Sequence, residues 1–367
     1  MKQKKLIIFF PSIGNGGVEK NFYIISNFLI RKVKNISIIT SNPQKINFLN
    51  KKINVVSSKF SFYKKNRTLQ LLFCIFLLIS EIIKNKNVVV LSFQSNSYAT
   101  IICYLLGVKI VSRANSSPKN FLKNGFKKFL YVSIMRLSSE IIVNSREMKL
   151  DFKKDFNLQS NLIYNPLNKQ EITKKAQKKI KNGFLKKIKH LKIINIGRLD
   201  LGKDQLTLLK ALNLIKNKIK FQLILVGRGP EKRNLQNFIK NNKLNKNVKI
   251  VDYQKNPYPI LKSSDLFILT SRYEGLPNVL LEAITLKKLI ISSDCSTGPK
   301  EILQNGKAGI LFKTGDYYEL YKKILSLKQN KEENKKKILI ATKSLKKYDF
   351  NLNLNKYLKI LDNLEKN

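Results

Sequence analysis

The stretch LFILTSRYEGLPNVLLEA, residues 266–283, joins a short apolar run, a Gly-Leu-Pro turn and a second apolar run that carries a carboxylate. The first run predicts a buried strand, and Pro277 suits the first turn of a helix. Glu274 then falls in the loop between the two elements, and Glu282 falls inside the helix. Acids on both sides of a helix start, directly after a strand, are typical of a ligand site at the carboxyl edge of a parallel sheet.

The same order of strand, turn and helix recurs along both halves of the chain. In the first half we predict strands at 6–10, 36–40, 87–93, 109–112 and 140–145, and helices at 18–30, 68–83, 97–106 and 121–138. The second half contains six strand-like runs, which are IINIG, QLILVG, VKIVDY, LFILTS, LIISSD and GILF. Because these runs are continuous and do not alternate with polar residues, they favour parallel sheets covered on both faces.

A lysine-rich stretch at 168–190 separates the two arrays and predicts a peripheral helix plus a linker. Two such arrays predict an α/β fold of two doubly wound, Rossmann-like domains that face a cleft in which ligands bind. We place the domain boundaries at 1–168, 169–190 for the linker, 191–345, and 346–367 for a C-terminal helix that packs back on the first domain.

Composition narrows the class of protein. A chain of 367 residues can form two domains, and its three scattered cysteines give neither a disulfide framework nor metal-ligand spacing, which favours a reducing cytosol. The formal net charge of +48 favours anionic partners such as phosphates or phospholipid headgroups, although an A/T-rich genome explains the abundant lysine equally well. The N-terminal apolar run is too short for a signal peptide, and the run at 71–79 is too short to span a bilayer.

Basic and glycine residues follow three of the predicted strands. Arg198 ends one strand and Lys203 lies near a helix start, an arrangement that suits a diphosphate, although two solvated charges have the same spacing. LVGRGPEK at 225–232 repeats the strand–glycine–helix pattern. SIGNGGVEK at 12–20 offers close backbone approach to an anion, but a simple tight turn has the same pattern.

The two carboxylates of this stretch, Glu274 and Glu282, can accept hydrogen bonds from ligand hydroxyl groups. A ligand over this helix start could place phosphate on the N–H groups of Asn278 to Leu280, while Glu274 and Glu282 accept bonds from vicinal hydroxyls of a sugar or ribose. The alternative interpretation makes Glu274 a helix-start charge and Glu282 a surface residue.

Together these motifs resemble glycosyltransferase family 4, which comprises retaining nucleotide-sugar transferases of the GT-B architecture. The resemblance covers nearly the full length, and EGLPNVLLE is its most specific mark. It implies an acceptor-binding first domain and a nucleotide-sugar-binding second domain. Glu274 would contact the donor sugar, Glu282 the ribose, and Arg198 and Lys203 the diphosphate. The other implied donor contacts are Gly16, Gly17, Gly227, Gly229, Gly275, Leu276, Pro277, Asn278, Val279 and Leu280.

GGVEK, with IYNPL before the linker, is similar to bacterial enzymes that extend surface polysaccharides, lipopolysaccharide or lipid-linked glycans. The resemblance implies a UDP-linked donor and a glycan or polyprenyl-diphosphate-linked acceptor, with no cofactor beyond the donor. Since the chain has no D-x-D, we expect no obligatory metal. Many relatives carry a cleft histidine, whereas the only histidine here is His190, so we assign Arg113 or Asn115 to the acceptor side. A strand-end surface charge is the alternative for Arg113.

The segments 62–79 and 124–137 mix lysines with apolar faces, as membrane-surface helices do. They predict a cytoplasmic protein held peripherally at the inner face of an anionic membrane, although ordinary cover helices have the same pattern. Two other functions compete. A nucleic-acid-binding protein would explain the charge, but no reader motif is present, so we expect no specific nucleic acid. A sugar-nucleotide epimerase would share the fold, but would need several cleft histidines.

Overall fold

The computed structural model describes residues 4–14, 16–57, 66–120, 122, 124–179 and 190–366. The chain divides into two compact units. The first unit comprises Met1–Pro166 together with Phe350–Asn367, and the second comprises Leu167–Asp349. The C-terminal segment thus returns to the unit in which the chain begins.

The first unit is built on a seven-stranded parallel sheet with the order β3-β2-β1-β4-β5-β6-β7. Its central strands β1, β4 and β5 are largely apolar and buried because helices cover both faces, and only their first residues Lys5 and Lys109 are partly exposed among the residues of these three strands. The strands are β1 (Lys5–Phe9), β2 (Ile36–Ile39), β3 (Asn54–Val56), β4 (Val88–Ser92), β5 (Lys109–Arg113), β6 (Glu140–Val143) and β7 (Asn161–Leu162).

Side chains of the preceding residues cap three helices of this unit. Asn66 and Asn124 each accept two backbone N–H groups, and Ser145 accepts one, as residues at helix N-caps do. The helices are α1 (Gly17–Leu29), α2 (Arg67–Lys84), α3 (Asn96–Leu105), α4 (Gly125–Arg136) and α5 (Arg146–Phe156). In the described part of the chain, none of the helices has the length and apolar content that crossing a bilayer requires.

The last helix of the chain, α14 (Phe350–Lys366), belongs to the first unit. Leu354, Tyr357 and Leu361 are buried in the same core as α1 and one face of β1. The opposite face of the sheet is covered by α2 and α3, whose buried residues include Cys74, Leu78 and Cys103. The sheet therefore has helices on both sides, which defines a doubly wound unit.

The second unit has a six-stranded parallel sheet with the order β10-β9-β8-β11-β12-β13. Its strands are β8 (Leu191–Ile196), β9 (Phe221–Val226), β10 (Val248–Val251), β11 (Leu266–Leu269), β12 (Leu289–Ser293) and β13 (Ile310–Phe312). Its helices are α6 (Lys169–Ala176), α7 (Gln205–Ile215), α8 (Lys232–Asn241), α9 (Tyr258–Lys262), α10 (Asn278–Thr285), α11 (Pro299–Ile302), α12 (Tyr317–Leu325) and α13 (Lys331–Ser344).

The prediction of an α/β fold with two doubly wound sheets is confirmed, and all six strands predicted in the second half are present. The pattern did not indicate β3, β7 or α5, which are short or polar. The boundaries also differ from those predicted, because α6 packs on α9 and α10 as part of the second unit. The rest of the predicted linker, 180–189, lies outside the described residues, as do 58–65 and Phe121.

Candidate functional site

The candidate site lies at the carboxyl edge of the second sheet, where the chain order reverses. From β8 the chain adds β9 and β10 on one side, and it then returns to place β11 on the other side of β8. Such a switch point opens a crevice between the loops that follow the two central strands. Here those loops are 197–204, after β8, and 270–277, after β11.

A charged pair joins the two loops. The Lys203 ammonium lies 2.5 Å from Oε1 of Glu274, and the Ser271 hydroxyl donates to the same oxygen at 2.6 Å. The Glu274 side chain is buried, whereas that of Lys203 is 29% exposed. The structure therefore brings together Lys203 and Glu274, which the resemblance assigns to the diphosphate and the donor sugar, and it adds Ser271, which sequence reasoning missed.

Backbone contacts fix the position of Lys203. Its N–H donates to the carbonyl and to Oδ1 of Asp200, at 3.1 and 3.0 Å, and its carbonyl accepts from the Thr270 hydroxyl at 3.0 Å. The next residue, Asp204, has φ 46 and caps α7 through Thr207. Loop 197–204 is thus held both by its own turn and by the loop after β11.

Arg198 differs from Lys203 in its surroundings. Its guanidinium Nε lies 3.3 Å from Asp200 Oδ2, and its side chain is 67% exposed. A surface ion pair of this kind contributes little to stability, because water screens it. Arg198 is thus a solvent-facing cation at the rim of the site, with its side chain accessible to an anion.

The glycines after β9 are required by packing within the second unit. A Cβ on Gly227 would lie 1.9 Å from the Gly197 carbonyl oxygen, and one on Gly229 would lie 2.1 Å from that of Leu199. The loops also share hydrogen bonds, since the Leu199 N–H donates to the Arg228 carbonyl at 3.0 Å. These glycines therefore let the two loops touch, which accounts for them without reference to a ligand.

The helix after β11 begins as the sequence indicates. α10 starts at Asn278 with Pro277 as its N-cap, and Glu282 is a buried residue in its second turn, which removes the interpretation of Glu282 as a surface charge. The N–H of Leu280 donates to the Pro277 carbonyl at 3.1 Å, so this group is engaged within the helix start. Phosphate binding by the N–H groups of Asn278 to Leu280 stays a prediction.

The other predicted residues of this loop pack against the segment after β12. The Thr297 hydroxyl donates to the Glu274 carbonyl at 2.7 Å, and the Glu274 N–H donates to the Ser296 carbonyl at 3.1 Å. Gly298 has φ 87, and a Cβ there would lie 2.0 Å from the Gly275 carbonyl oxygen. Of the remaining predicted contacts, Leu276 and Pro277 are buried, while Gly275, Asn278 and Val279 are half-buried.

Cys295 is packed beside this charged pair. Burial, with a smaller contribution from the nearby Glu274 carboxylate, raises the pKa of its thiol to about 12. The thiol is therefore neutral at ordinary pH and has no nucleophilic character. In the part of the chain that the structure describes, no group of three or more histidine, cysteine, aspartate or glutamate residues could hold a metal ion.

In the first unit, the glycine loop before α1 is closed by its own carboxylate. Glu19 accepts the N–H groups of Gly14 and Gly16, each at 2.9 Å, as in a capping box. Gly16 and Gly17 are exposed, but the Gly16 N–H is already paired, and Asn15 lies outside the described residues. The acid three residues after Gly16 is the sequence signal that could have identified this contact.

The structure corrects the assignment of Arg113. Its side chain is fully buried, with Nε donating to the Tyr357 hydroxyl and Nη2 to Asn165 Oδ1, both at 2.8 Å, and Nη1 to Asn115. The guanidinium also lies over the Phe93 ring at 5.4 Å. Arg113 is therefore neither an acceptor contact nor a surface charge, and it joins β5 to α14. Asn115 is half-buried and donates to the Phe93 carbonyl at 2.6 Å.

The family model described as "Glycosyl transferases group 1" matches residues 176–344, which lie within the second unit. A Campylobacter jejuni protein named N-acetylgalactosamine-N,N'-diacetylbacillosaminyl-diphospho-undecaprenol 4-alpha-N-acetylgalactosaminyltransferase is 24% identical over 84% of this chain and 86% of its own length. An uncharacterized glycosyltransferase of Methanocaldococcus jannaschii is 32% identical, but the match spans 58% of this chain and only 57% of that protein.

The backbone is similar to solved structures along nearly its whole length. The Anabaena protein HepE, in complex with UDP, matches with a TM-score of 0.78 at 17% identity, over 98% of this chain and all of that one. A glycosyltransferase from Rickettsia africae matches with a TM-score of 0.79 at 20% identity, over all of this chain and 99% of that one. At these identities the likeness establishes the fold, which is GT-B.

Proposed function

We propose that the chain is a group 1 glycosyltransferase, the family whose model matches residues 176–344, and that it is a retaining enzyme of family 4 type. It transfers a sugar from a nucleotide-diphosphate sugar, with UDP as the preferred nucleotide, to a glycan or polyprenyl-diphosphate-linked acceptor. The observation that carries the proposal is the Lys203–Glu274 pair with Ser271, held at the switch point of the second sheet.

The charges of this pair suit two parts of a nucleotide-sugar substrate, its diphosphate and its sugar. An ammonium group has three N–H bonds that can donate hydrogen bonds, and Lys203 uses one of them on Glu274. The other two can donate to a phosphate oxygen. Arg198, at the rim, adds a second cation that can approach the same diphosphate. Glu274 can accept a sugar hydroxyl through its second carboxylate oxygen, and the buried Glu282 is assigned to the ribose.

The proposed reaction breaks the bond between the anomeric carbon and the phosphate oxygen, and a nucleoside diphosphate leaves with an added negative charge. The acceptor hydroxyl attacks from the same face, forms the new glycosidic bond and gives its proton to a phosphate oxygen of the leaving group. Lys203 and Arg198 accelerate the step because they stabilise the departing charge more than the ground state. Metal independence is part of the proposal, since these cations take the neutralising role.

Two comparisons support the choice of substrates. HepE is similar in fold and was solved with UDP and with UDP-glucose, which favours a UDP sugar. The Campylobacter relative is named for a diphospho-undecaprenol substrate, which favours a lipid-linked acceptor in polysaccharide or glycan assembly. An acceptor of this kind would make a cytoplasmic enzyme held at the inner face of the membrane advantageous, and we include that location in the proposal.

A thermal-shift panel of UDP-, GDP-, ADP- and dTDP-sugars tests donor binding, because a ligand that binds only the folded state raises the apparent stability. We expect the largest rise with a UDP sugar. Glu282→Gln keeps the size of the buried side chain and is expected to abolish that rise, whereas the control Glu332→Gln, at an exposed position of α13, keeps it. An unchanged rise in Glu282→Gln would contradict the ribose assignment.

A second measurement separates binding from catalysis. With the preferred donor and no acceptor, the enzyme is expected to release nucleoside diphosphate slowly, and with a polyprenyl-diphosphate glycan it is expected to form product with retained anomeric configuration. Addition of EDTA should leave the rate unchanged. Inverted product, or a rate that requires added metal, would contradict the corresponding part of the proposal.

A further inference from the structure

Helix α2 is apolar on the side that faces away from the sheet as well as on the side that faces it. Cys74 and Leu78 are buried against the sheet, yet Leu72 and Phe76 lie on the opposite side, and Phe76 is 64% exposed. Leu69 and Ile83 extend this exposed stripe toward both ends of the helix. A helix with apolar residues all round is usually covered on every side.

Two neighbouring helices continue this surface. α3 packs against both α2 and α4, and it exposes Tyr104 and Leu105 at its C-terminal end. On α4, Phe126 is 73% exposed and Phe129 is 69% exposed, with Leu130 beside them at helical spacing. We call the outward side of α2, α3 and α4 the outer helical face. An exposed apolar surface of this extent is typical of an interaction site.

The charges around the outer helical face are almost all positive. Between residues 67 and 137 the sequence has ten lysines and arginines, of which Arg113 is buried and Lys119 pairs with Asp151 and Asp155, and a single acid, Glu81. That acid is buried and paired with Lys5 at 2.8 Å and with Lys84 at 3.0 Å, so it offsets one positive charge at the C-terminal end of α2 and presents no free carboxylate. Exposed lysine and arginine residues flank the aromatic rings on α4, at Lys127 and Arg136.

From this combination we infer that the outer helical face docks on a bilayer that contains anionic phospholipids. Aromatic and aliphatic side chains would enter the headgroup region, and the surrounding lysines would pair with lipid phosphates. A second copy of this chain is a poor occupant, because each copy carries a formal charge of +48 and the face has no exposed acid between residues 67 and 137 to match the lysines of its partner. The inference deepens the membrane location in the proposed function.

Vesicle co-sedimentation with the full chain tests this inference. Wild-type protein is expected to sediment with vesicles of phosphatidylglycerol and phosphatidylcholine, and much less with phosphatidylcholine alone. The variant Leu72→Ser/Phe76→Ser/Phe126→Ser/Phe129→Ser is expected to bind the anionic vesicles at least about tenfold more weakly, because it loses the apolar part of the attraction. A control variant, Leu214→Ser/Leu339→Ser, changes exposed apolar residues of the second unit and should bind like wild type.

Three results would overturn the inference. Wild-type protein could fail to sediment with anionic vesicles, or the variant with the four serine substitutions (called the fourfold variant below) could sediment as wild type does. Light scattering could also show a wild-type dimer that the fourfold variant converts to a monomer, which would assign the face to self-association. The donor-induced thermal shift is expected to be unchanged in the fourfold variant, so a failure of docking and a failure of donor binding would be distinguishable.

Discussion

Each sheet of this protein ends in a cluster built around one cation, and the two clusters have opposite properties. In the first unit Arg113 is fully buried, and the described hydrogen bonds join it to the neutral side chains of Tyr357, Asn165 and Asn115. In the second unit Lys203 is partly exposed and paired with a carboxylate. Arg113 is the last residue of β5 and Lys203 lies in the loop after β8, so both are at the carboxyl edge of a parallel sheet, and that position alone does not identify a ligand site.

The chemistry of the two side chains explains the difference. A guanidinium spreads its charge over a plane with five N–H donors, so it can be buried where neutral oxygens accept its hydrogen bonds and an aromatic ring covers its face. In this protein the Phe93 ring provides that aromatic face. An ammonium is compact and strongly hydrated, and it retains donors for a ligand when it stays near water. We therefore interpret Arg113 as a structural crosslink and Lys203 as a ligand-binding group.

The largest expected effect is that of Lys203→Ala on catalysis. Without the ammonium, the leaving diphosphate loses a preorganised cation, and kcat is expected to fall by about 10²–10³. Steady-state kinetics with the preferred donor measures this, and circular dichroism checks that the variant stays folded.

Lys175→Ala is the matched control for Lys203→Ala. Lys175 also pairs with a glutamate at 2.5 Å, but both partners, Lys175 and Glu171, are exposed on α6. We expect its removal to leave kcat unchanged. Full activity in Lys203→Ala would contradict the interpretation of Lys203 as a ligand-binding group.

Arg113→Ala tests the interpretation of Arg113 as a structural crosslink. It would leave the buried Tyr357 hydroxyl and Asn165 amide oxygen without the Arg113 donor and open a space between β5 and α14, and we expect the free energy of unfolding to fall by about 2–4 kcal/mol. Chemical denaturation measures this loss. Arg136→Ala, at an exposed position of α4, is the control and should change the value by less than about 0.5 kcal/mol. If the Arg113→Ala variant had normal stability but had lost activity, the sequence-based assignment of Arg113 to acceptor binding would be supported instead.

Sequence reasoning predicted the fold well because buried parallel strands leave continuous apolar runs. All six strands of the second sheet have this signature. It failed where tertiary contacts decide the structure. β3 and β7 have three and two residues, too few for a periodic pattern. The lysine-rich stretch predicted a peripheral helix plus a linker, but not that α6 buries Ile172 and belongs to the second unit.

The candidate site was predictable in part for the same reason. Glu274 and Glu282 belong to one contiguous motif, so their positions around the start of α10 follow from local rules. The pairing of Lys203 with Glu274 joins residues 71 positions apart, and only the order of the strands brings them together. The burial of Arg113 could not be predicted either, because its partner Tyr357 is 244 positions away.

The glycine loops of the two units differ in what surrounds them, and this difference gives the smallest effect that we predict. A Cβ on Gly227 would meet the backbone oxygen of Gly197 at 1.9 Å, whereas a Cβ on Gly16 would meet Oε2 of the Glu19 side chain at 2.9 Å. Backbone cannot give way without moving β8 or β9, but a carboxylate can rotate. Gly227→Ala is therefore expected to cost about 1–3 kcal/mol of unfolding free energy.

Gly16→Ala is expected to cost less than about 1 kcal/mol, because Gly16 has extended backbone angles that alanine adopts readily and only its contact with Glu19 has to adjust. Gly125→Ala sets the baseline for both variants, because among the described residues no atom beyond its chain neighbours and its own helix backbone lies within 4 Å of the new Cβ. Chemical denaturation of the three variants gives the order. If Gly16→Ala proved as costly as Gly227→Ala, the carboxylate of Glu19 would have to be as fixed as backbone, and the loop before α1 would be as rigid as the one after β9.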